Sequence, residues 1–173
     1  MINISLIGNP NVGKSSIFNL LTKSHQHTGN WTGKTVGSNA SVFSCKDKDY
    51  KIYDLPGTYS LISHSLEEEI TRDFIYNNKD NINIVVCDIT MLEKSLNLVL
   101  QVMEVSDNVI LCLNMIDEAR RKKIDVDIDR LSSILKIPVV VSSTRTKEGI
   151  DKLKDAIYNY KKNNKFEVKY DKE

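Results

Sequence analysis

The sequence predicts a three-layer α/β domain, with a six-stranded, mostly parallel sheet that holds one antiparallel strand and is covered by helices on both faces. Three observations carry that prediction. Apolar segments of strand length alternate with helical segments along nearly the whole chain, as repeated βα units do. The alternation breaks once, at the polar stretch Lys46-Asp47-Lys48-Asp49, which is too short for a crossover and therefore forces a hairpin. The first strand runs straight into Gly8-Asn9-Pro10-Asn11-Val12-Gly13-Lys14-Ser15, a G-x-x-x-x-G-K-S loop followed at once by a helical pattern.

The elements follow in order. The apolar run from Ile2 to Ile7 reads as a buried strand, about residues 2–7. A helix over about 15–23 places Ile17, Phe18, Leu20 and Leu21 on one side. Strands over about 39–46 and 49–54 flank the polar turn, the first alternating in polarity and ending near Cys45. A helix over about 66–78 opens with Glu67-Glu68-Glu69, favourable charge at a helix N-terminus. Apolar strands over about 82–87 and 108–113 contain Cys87 and Cys112, with a helix over about 92–105 between them. A helix over about 127–136, a strand over about 137–142 and a helix over about 149–162 complete the domain. Two long polar connections, Ser24–Ser38 with three glycines and Thr58–Ser65, read as functional, mobile loops.

At 173 residues the chain has room for one full core, assigned to residues 1–162, while the polar, charge-dense stretch 163–173 reads as a disordered end or the start of a further domain. A formal net charge of +1 implies no strong pull toward nucleic acid or an anionic membrane surface. No uncharged apolar run approaches the ~20 residues that span a bilayer, and the chain opens directly on a strand, so a cytoplasmic protein without a signal peptide is expected. The three cysteines lack metal-ligand or disulfide spacing; Cys87 and Cys112 read as reduced core residues and Cys45 as partly exposed. His25 and His27 form a poor metal site by themselves.

The motifs specify a chemistry. Glycines at 8 and 13 let the loop curl so that successive N–H groups face phosphate oxygens, reinforced by the helix N-terminus. The expected nucleotide contacts from this loop are Gly8, Asn9, Asn11, Val12, Gly13, Lys14, Ser15 and Ser16, with Lys14 on the β- and γ-phosphates and the Ser15 hydroxyl on Mg²⁺. Asp54-Leu55-Pro56-Gly57 follows the third strand; Asp54 is expected to hold Mg²⁺, usually through a water, and the Gly57 N–H to sense the γ-phosphate. Asn114-Met115-Ile116-Asp117 follows the fifth strand. The Asp117 carboxylate only accepts, so it suits the N1–H and exocyclic amine of guanine and disfavours adenine. Met115 stands where N-K-x-D has a lysine; it can still cover a base face, but one charge is lost, which predicts moderate affinity and fast GDP release. Ser142-Ser143-Thr144 follows the sixth strand, where a backbone N–H would meet the base oxygen.

In that order and on those elements, the motifs resemble a P-loop NTPase of the Ras-like G-domain type, the G domain of small GTPases, over about residues 2–162. A narrower resemblance lies in Gly29-Asn30-Trp31-Thr32-Gly33-Lys34-Thr35-Val36 and Asp54-Leu55-Pro56-Gly57-Thr58-Tyr59-Ser60-Leu61, together with Asp88-Ile89-Thr90 and the methionine at 115. These are similar to switch I (G-N-W-P-G-x-T-V), switch II and neighbouring segments of the FeoB ferrous-iron transporters. Thr32, Lys34 and Gly37 depart from the family pattern.

The resemblance implies a GTPase on the cytoplasmic face of a membrane transporter, partnered by GTP or GDP and by the transporter's own helical and membrane domains, with no nucleic acid. It leaves self-association open. It gives Thr35 a γ-phosphate and Mg²⁺ contact, and it makes Asn11, with carbonyls near Gly29 and Trp31, the ligands of an activating K⁺, as an amide and backbone carbonyls suit a large monovalent cation. Catalytic roles fall on Asn11, Lys14, Thr35 and Gly57. Thr58 occupies the place of a water-orienting glutamine and is too short for that task, so slow intrinsic hydrolysis is expected; the nearest arginine to the switches is Arg72. Two other readings share the motifs: a ribosome-assembly or tRNA-modification GTPase, and a non-catalytic GDP/GTP sensor.

Overall fold

The computed structural model describes residues 1–22, 39–62 and 64–161. Switch I, with Gly29, Trp31 and Thr35, the histidines at 25 and 27, and the tail beyond residue 161 lie outside the described residues. The sheet has six strands: β1 (Ile2–Gly8), β2 (Asn39–Cys45), β3 (Lys48–Asp54), β4 (Ile82–Asp88), β5 (Val109–Asn114) and β6 (Val139–Val141). Their spatial order is β2-β3-β1-β4-β5-β6, antiparallel only between β2 and β3. The hairpin expected from the polar stretch is there, closed by the turn at Lys46 and Asp47.

Helices α1 (Lys14–Thr22) and α6 (Ile150–Tyr158) cover one face; α2 (Leu66–Asn77), α3 (Leu92–Val105), α4 (Ile116–Arg121) and α5 (Ile128–Leu135) belong to the other side. The two-residue period of the strands divides the core between the faces. Ile4, Leu6, Ile52, Ile84, Ile110 and Cys112 pack with Ile17, Phe18, Leu21, Leu153 and Ile157. Ile7, Val85, Cys87, Leu111 and Leu113 pack with Ile75, Leu98, Val99 and Val102. The central strands are buried on both sides, and hence read as continuous apolar runs.

One helix is added and three expectations are corrected. The segment after Asn114 is helical: α4 carries Asp117 and Glu118 in its first turn and Arg120 and Arg121 in its last, charges placed to suit the helix dipole. The last helix stops at Tyr158 rather than near 162, because the Asn159 N–H closes onto the Asp155 and Ile157 carbonyls and Tyr160 turns inward, its hydroxyl donating to the Asp107 carbonyl at 3.3 Å. Strand β6 is three residues long; Pro138 brings no N–H to the ladder. The loop after β3 is anchored, not loose, at Thr58 and Leu61: both are buried, and the Leu61 N–H donates to Gln101 Oε1 of α3 at 2.7 Å. Glu68 does more than supply charge, since it completes a capping box with Ser65 at the start of α2.

β1 lies between β3 and β4, so the chain leaves β1 toward one side and returns on the other. The crevice at the carboxyl end of β1 is the switch point where such sheets take ligands.

Candidate functional site

At that crevice the loop from Gly8 to Ser15 turns into α1 and lines a cavity of about 370 Å³ with Asn9, Pro10, Asn11, Gly13, Lys14, Ser15, Ser16 and Gly57. Two unusual backbone angles shape the loop. Asn11 stands at φ +65°, a region that asparagine tolerates better than most residues, and it is exposed at the cavity rim. Gly13 stands at φ +88°, and a Cβ there would lie 2.3 Å from Asn114 Nδ2, so only glycine fits. Gly57 rests against Pro10, and the Thr58 N–H donates to the Gly8 carbonyl at 3.0 Å, which joins the D-x-x-G turn to the phosphate loop.

Three predicted residues meet at the base of the phosphate loop. Lys14 is buried; its ammonium pairs with Asp54 Oδ1 and donates to the Leu55 carbonyl at 2.6 Å. Ser15 Oγ donates to Asp54 Oδ2 at 2.9 Å. The hydroxyl and carboxylate oxygens thus converge at the base of the loop, a hard-oxygen donor pair that fits a divalent cation such as Mg²⁺. The Thr58 hydroxyl is engaged, donating to the Ser60 carbonyl at 2.7 Å.

A second cavity, about 380 Å³, adjoins the ends of β4, β5 and β6 and is lined by residues that include Asp88, Thr90, Met115, Asp117, Lys122, Ser143, Thr144 and Arg145. The Asp117 carboxyl is held below its ordinary range by a hydrogen bond from the Ser143 hydroxyl and by the Arg145 guanidinium, whose Nε donates to Asp117 Oδ2 at 2.7 Å. Met115, the αL cap of α4 at φ +69°, is the half-buried side chain on the rim. A methionine in that conformation marks a backbone held by its surroundings.

Asn114 joins the two cavities. It is fully buried; Nδ2 donates to the Val12 carbonyl at 2.9 Å, and Oδ1 accepts from Ser142 Oγ at 3.1 Å and from the Thr144 N–H at 3.2 Å. Whatever it contributes to the base, its amide fastens the phosphate loop to the loop after β6. Ser142 is buried as well and serves the same joint. Asp88, Thr90, Lys122 and Arg145 were not anticipated as cavity residues. Arg145 had a legible signal, a cation directly after Ser142-Ser143-Thr144; Lys122 reaches the cavity only because α4 is a helix.

The family model for ferrous iron transport protein B matches residues 2–157. The chain belongs to that family. The Fe(2+) transporter FeoB of Escherichia coli K12 is 42% identical over 171 residues, which are 96% of this chain and 22% of that protein, so the chain spans about a fifth of its curated FeoB relatives. Among solved structures, the G domain of the T. maritima FeoB iron transporter is 41% identical with a TM-score of 0.83, over 92% of this chain and 98% of that one. The FeoB G domain of Methanococcus jannaschii is 42% identical with a TM-score of 0.80, over 91% and 95%. The S. thermophilus NFeoB bound to GDP·AlF4⁻ and K⁺ is 39% identical with a TM-score of 0.79, over 91% and 62%. The expected Ras-like P-loop fold is therefore the observed one, and the two cavities lie in a FeoB G domain. Among the described residues no helix is long and apolar enough to cross a membrane.

Proposed function

We propose that this chain is the GTP-binding and GTP-hydrolysing switch domain of a ferrous-iron membrane transporter, dependent on Mg²⁺ and activated by K⁺. The observation that carries the reading is the pairing of a phosphate-loop cavity, lined by Lys14 and Ser15 that both bond Asp54, with a neighbouring cavity that presents the Asp117 carboxylate. Lys14 exchanges Asp54 for the β- and γ-phosphate oxygens, and the loop N–H groups from Gly8 to Ser16 cradle the remainder. Asp117 accepts from N1–H and the 2-amino group of guanine; Met115 covers the base, and the loop after β6 would supply a backbone N–H to its oxygen. Ser15, Asp54 and Thr35 would hold Mg²⁺, which supplies neutralisation of phosphate charge. Asn11, Gly29 and Trp31 would hold K⁺, which supplies positive charge where other GTPases use an arginine finger. The K⁺ bound to the S. thermophilus relative supports that assignment.

Gly57, which lines the cavity, would sense the γ-phosphate through its N–H. With the Thr58 hydroxyl engaged by Ser60, no side chain at that position orients water, and intrinsic turnover is slow. In the full-length protein the domain, residues 1–162, sits on the cytoplasmic face and biases the attached helical and membrane domains through its switches. The test is GTP hydrolysis in matched K⁺ and Na⁺ buffers, with Asn11→Ala as control. Several-fold stimulation by K⁺ that disappears in Asn11→Ala is expected. Equal rates near zero would instead make this chain a GDP/GTP sensor, the reading that the engaged Thr58 hydroxyl otherwise favours.

A further inference from the structure

We infer that Arg145 is a positioning residue for guanine recognition, holding the Asp117 carboxylate toward the base and replacing the cation that Met115 lacks. The inference rests on the reading of this cavity as a guanine site.

The geometry is specific. Asp117 starts α4, whereas Arg145 lies 28 residues on, in the loop after β6. Arg145 Nε reaches Asp117 Oδ2 at 2.7 Å, with the arginine side chain 72% exposed and the aspartate side chain 12% exposed. The arginine therefore stands at the rim and touches the carboxylate from the solvent side. An ionised carboxylate has about four acceptor positions. Arg145 takes one, on Oδ2. Those left suit the N1–H and 2-amino donors of guanine, so the arginine supports the base rather than competing with it. The cavity keeps about 380 Å³ with the pair formed, which makes Arg145 a wall and not a plug.

The loop that carries Arg145 is itself fixed. Arg120 of α4 grips Glu148 through two bonds of 2.6 and 2.7 Å, and the Ser143 N–H donates to the Glu148 carbonyl at 2.9 Å. Gly149 closes the loop at φ +78°. A fixed loop lets Arg145 hold Asp117 in one orientation before the base arrives, which lowers the ordering cost of binding. A guanidinium suits the task because its planar fork keeps further donors free after Nε is engaged.

The test is release of a fluorescent GDP by stopped flow, with competition by GDP and inosine diphosphate, in the wild type, Arg145→Ala and Arg145→Lys. Arg145→Ala is expected to release GDP about two- to fivefold faster, in the range of an exposed ion pair. Arg145→Lys should recover part of the loss, and the melting temperature should not move. Hypoxanthine lacks the 2-amino group, so the preference for GDP over inosine diphosphate should narrow in Arg145→Ala. At saturating GTP, kcat should stay put while KM rises. An unchanged or slower release, or an unchanged preference between the two bases, overturns the inference while leaving the guanine site intact. A wild type that binds no guanine nucleotide overturns both.

Discussion

Asn114→Ala tests whether one buried amide joins the two halves of the site. Removing the side chain leaves the Val12 carbonyl without its donor and the Thr144 N–H without its acceptor; Ser142 Oγ keeps Cys112 Sγ as a neighbour at 3.4 Å. Each buried polar group left unpaired costs about 1–3 kcal/mol, so the pair should destabilise the fold by about 3 kcal/mol, allowing for partial access of water to the half-buried Thr144. For a domain of this size that is a fall of about 6–12 °C in Tm. The same change frees the phosphate loop from the base loop, so GDP affinity should fall at least about tenfold. Thermal melts and calorimetric titration with GDP read the two effects. Asn114→Asp should be worse, since it directs an oxygen at the Val12 carbonyl. A melting temperature within about 2 °C of wild type, with GDP affinity unchanged, would refute the assignment of Asn114 as the joint.

Gly149→Ala should lower Tm by several degrees and weaken GDP binding, because the residue sits at φ +78° and a Cβ would lie 2.0 Å from the Val141 carbonyl oxygen; the left-handed backbone alone costs about 1–2 kcal/mol. Burial pushes the Cys87 thiol up to about 12 and the Cys112 thiol up to about 11, so at pH 8 a disulfide reagent should modify Cys45 quickly and the other two only in denaturant; fast reaction of a second thiol in the native protein would count against the core packing. Tyr158 joins α6 to the β2–β3 turn, its hydroxyl donating to Asp47 at 2.6 Å, which lowers the Asp47 carboxyl below its ordinary value and raises the tyrosine above its own. A depressed acid contributes above its unfolded pKa and loses that contribution as pH falls through the folded value; a raised tyrosine contributes below its unfolded pKa and loses it as pH rises. The stability gap between wild type and Tyr158→Phe should therefore be a plateau through neutral pH that closes toward both extremes, and urea melts across pH would expose a flat or inverted profile.

The sequence by itself determined the architecture and the identity of the chemistry. Period-two strands buried on both faces, amphipathic helices between them and a polar turn too short for a crossover leave one arrangement of sheet and hairpin. The phosphate loop was legible because its function depends on backbone curvature, which glycines at fixed spacing encode locally. Asp117 was legible because an acceptor-only group after a strand is a chemical statement in itself. What only the tertiary structure decided are contacts between segments distant in the chain. Asn114 meets Val12 across 102 residues and braces two loops of the site. Arg145 meets Asp117 across 28 residues and becomes part of the site. Thr58 and Leu61 are held by packing and by Gln101, although their segment reads as a free polar loop. Local pattern follows from propensity and periodicity, which act over a few residues. Which side chain faces which depends on strand order and helix placement, and those are fixed only when the whole core packs.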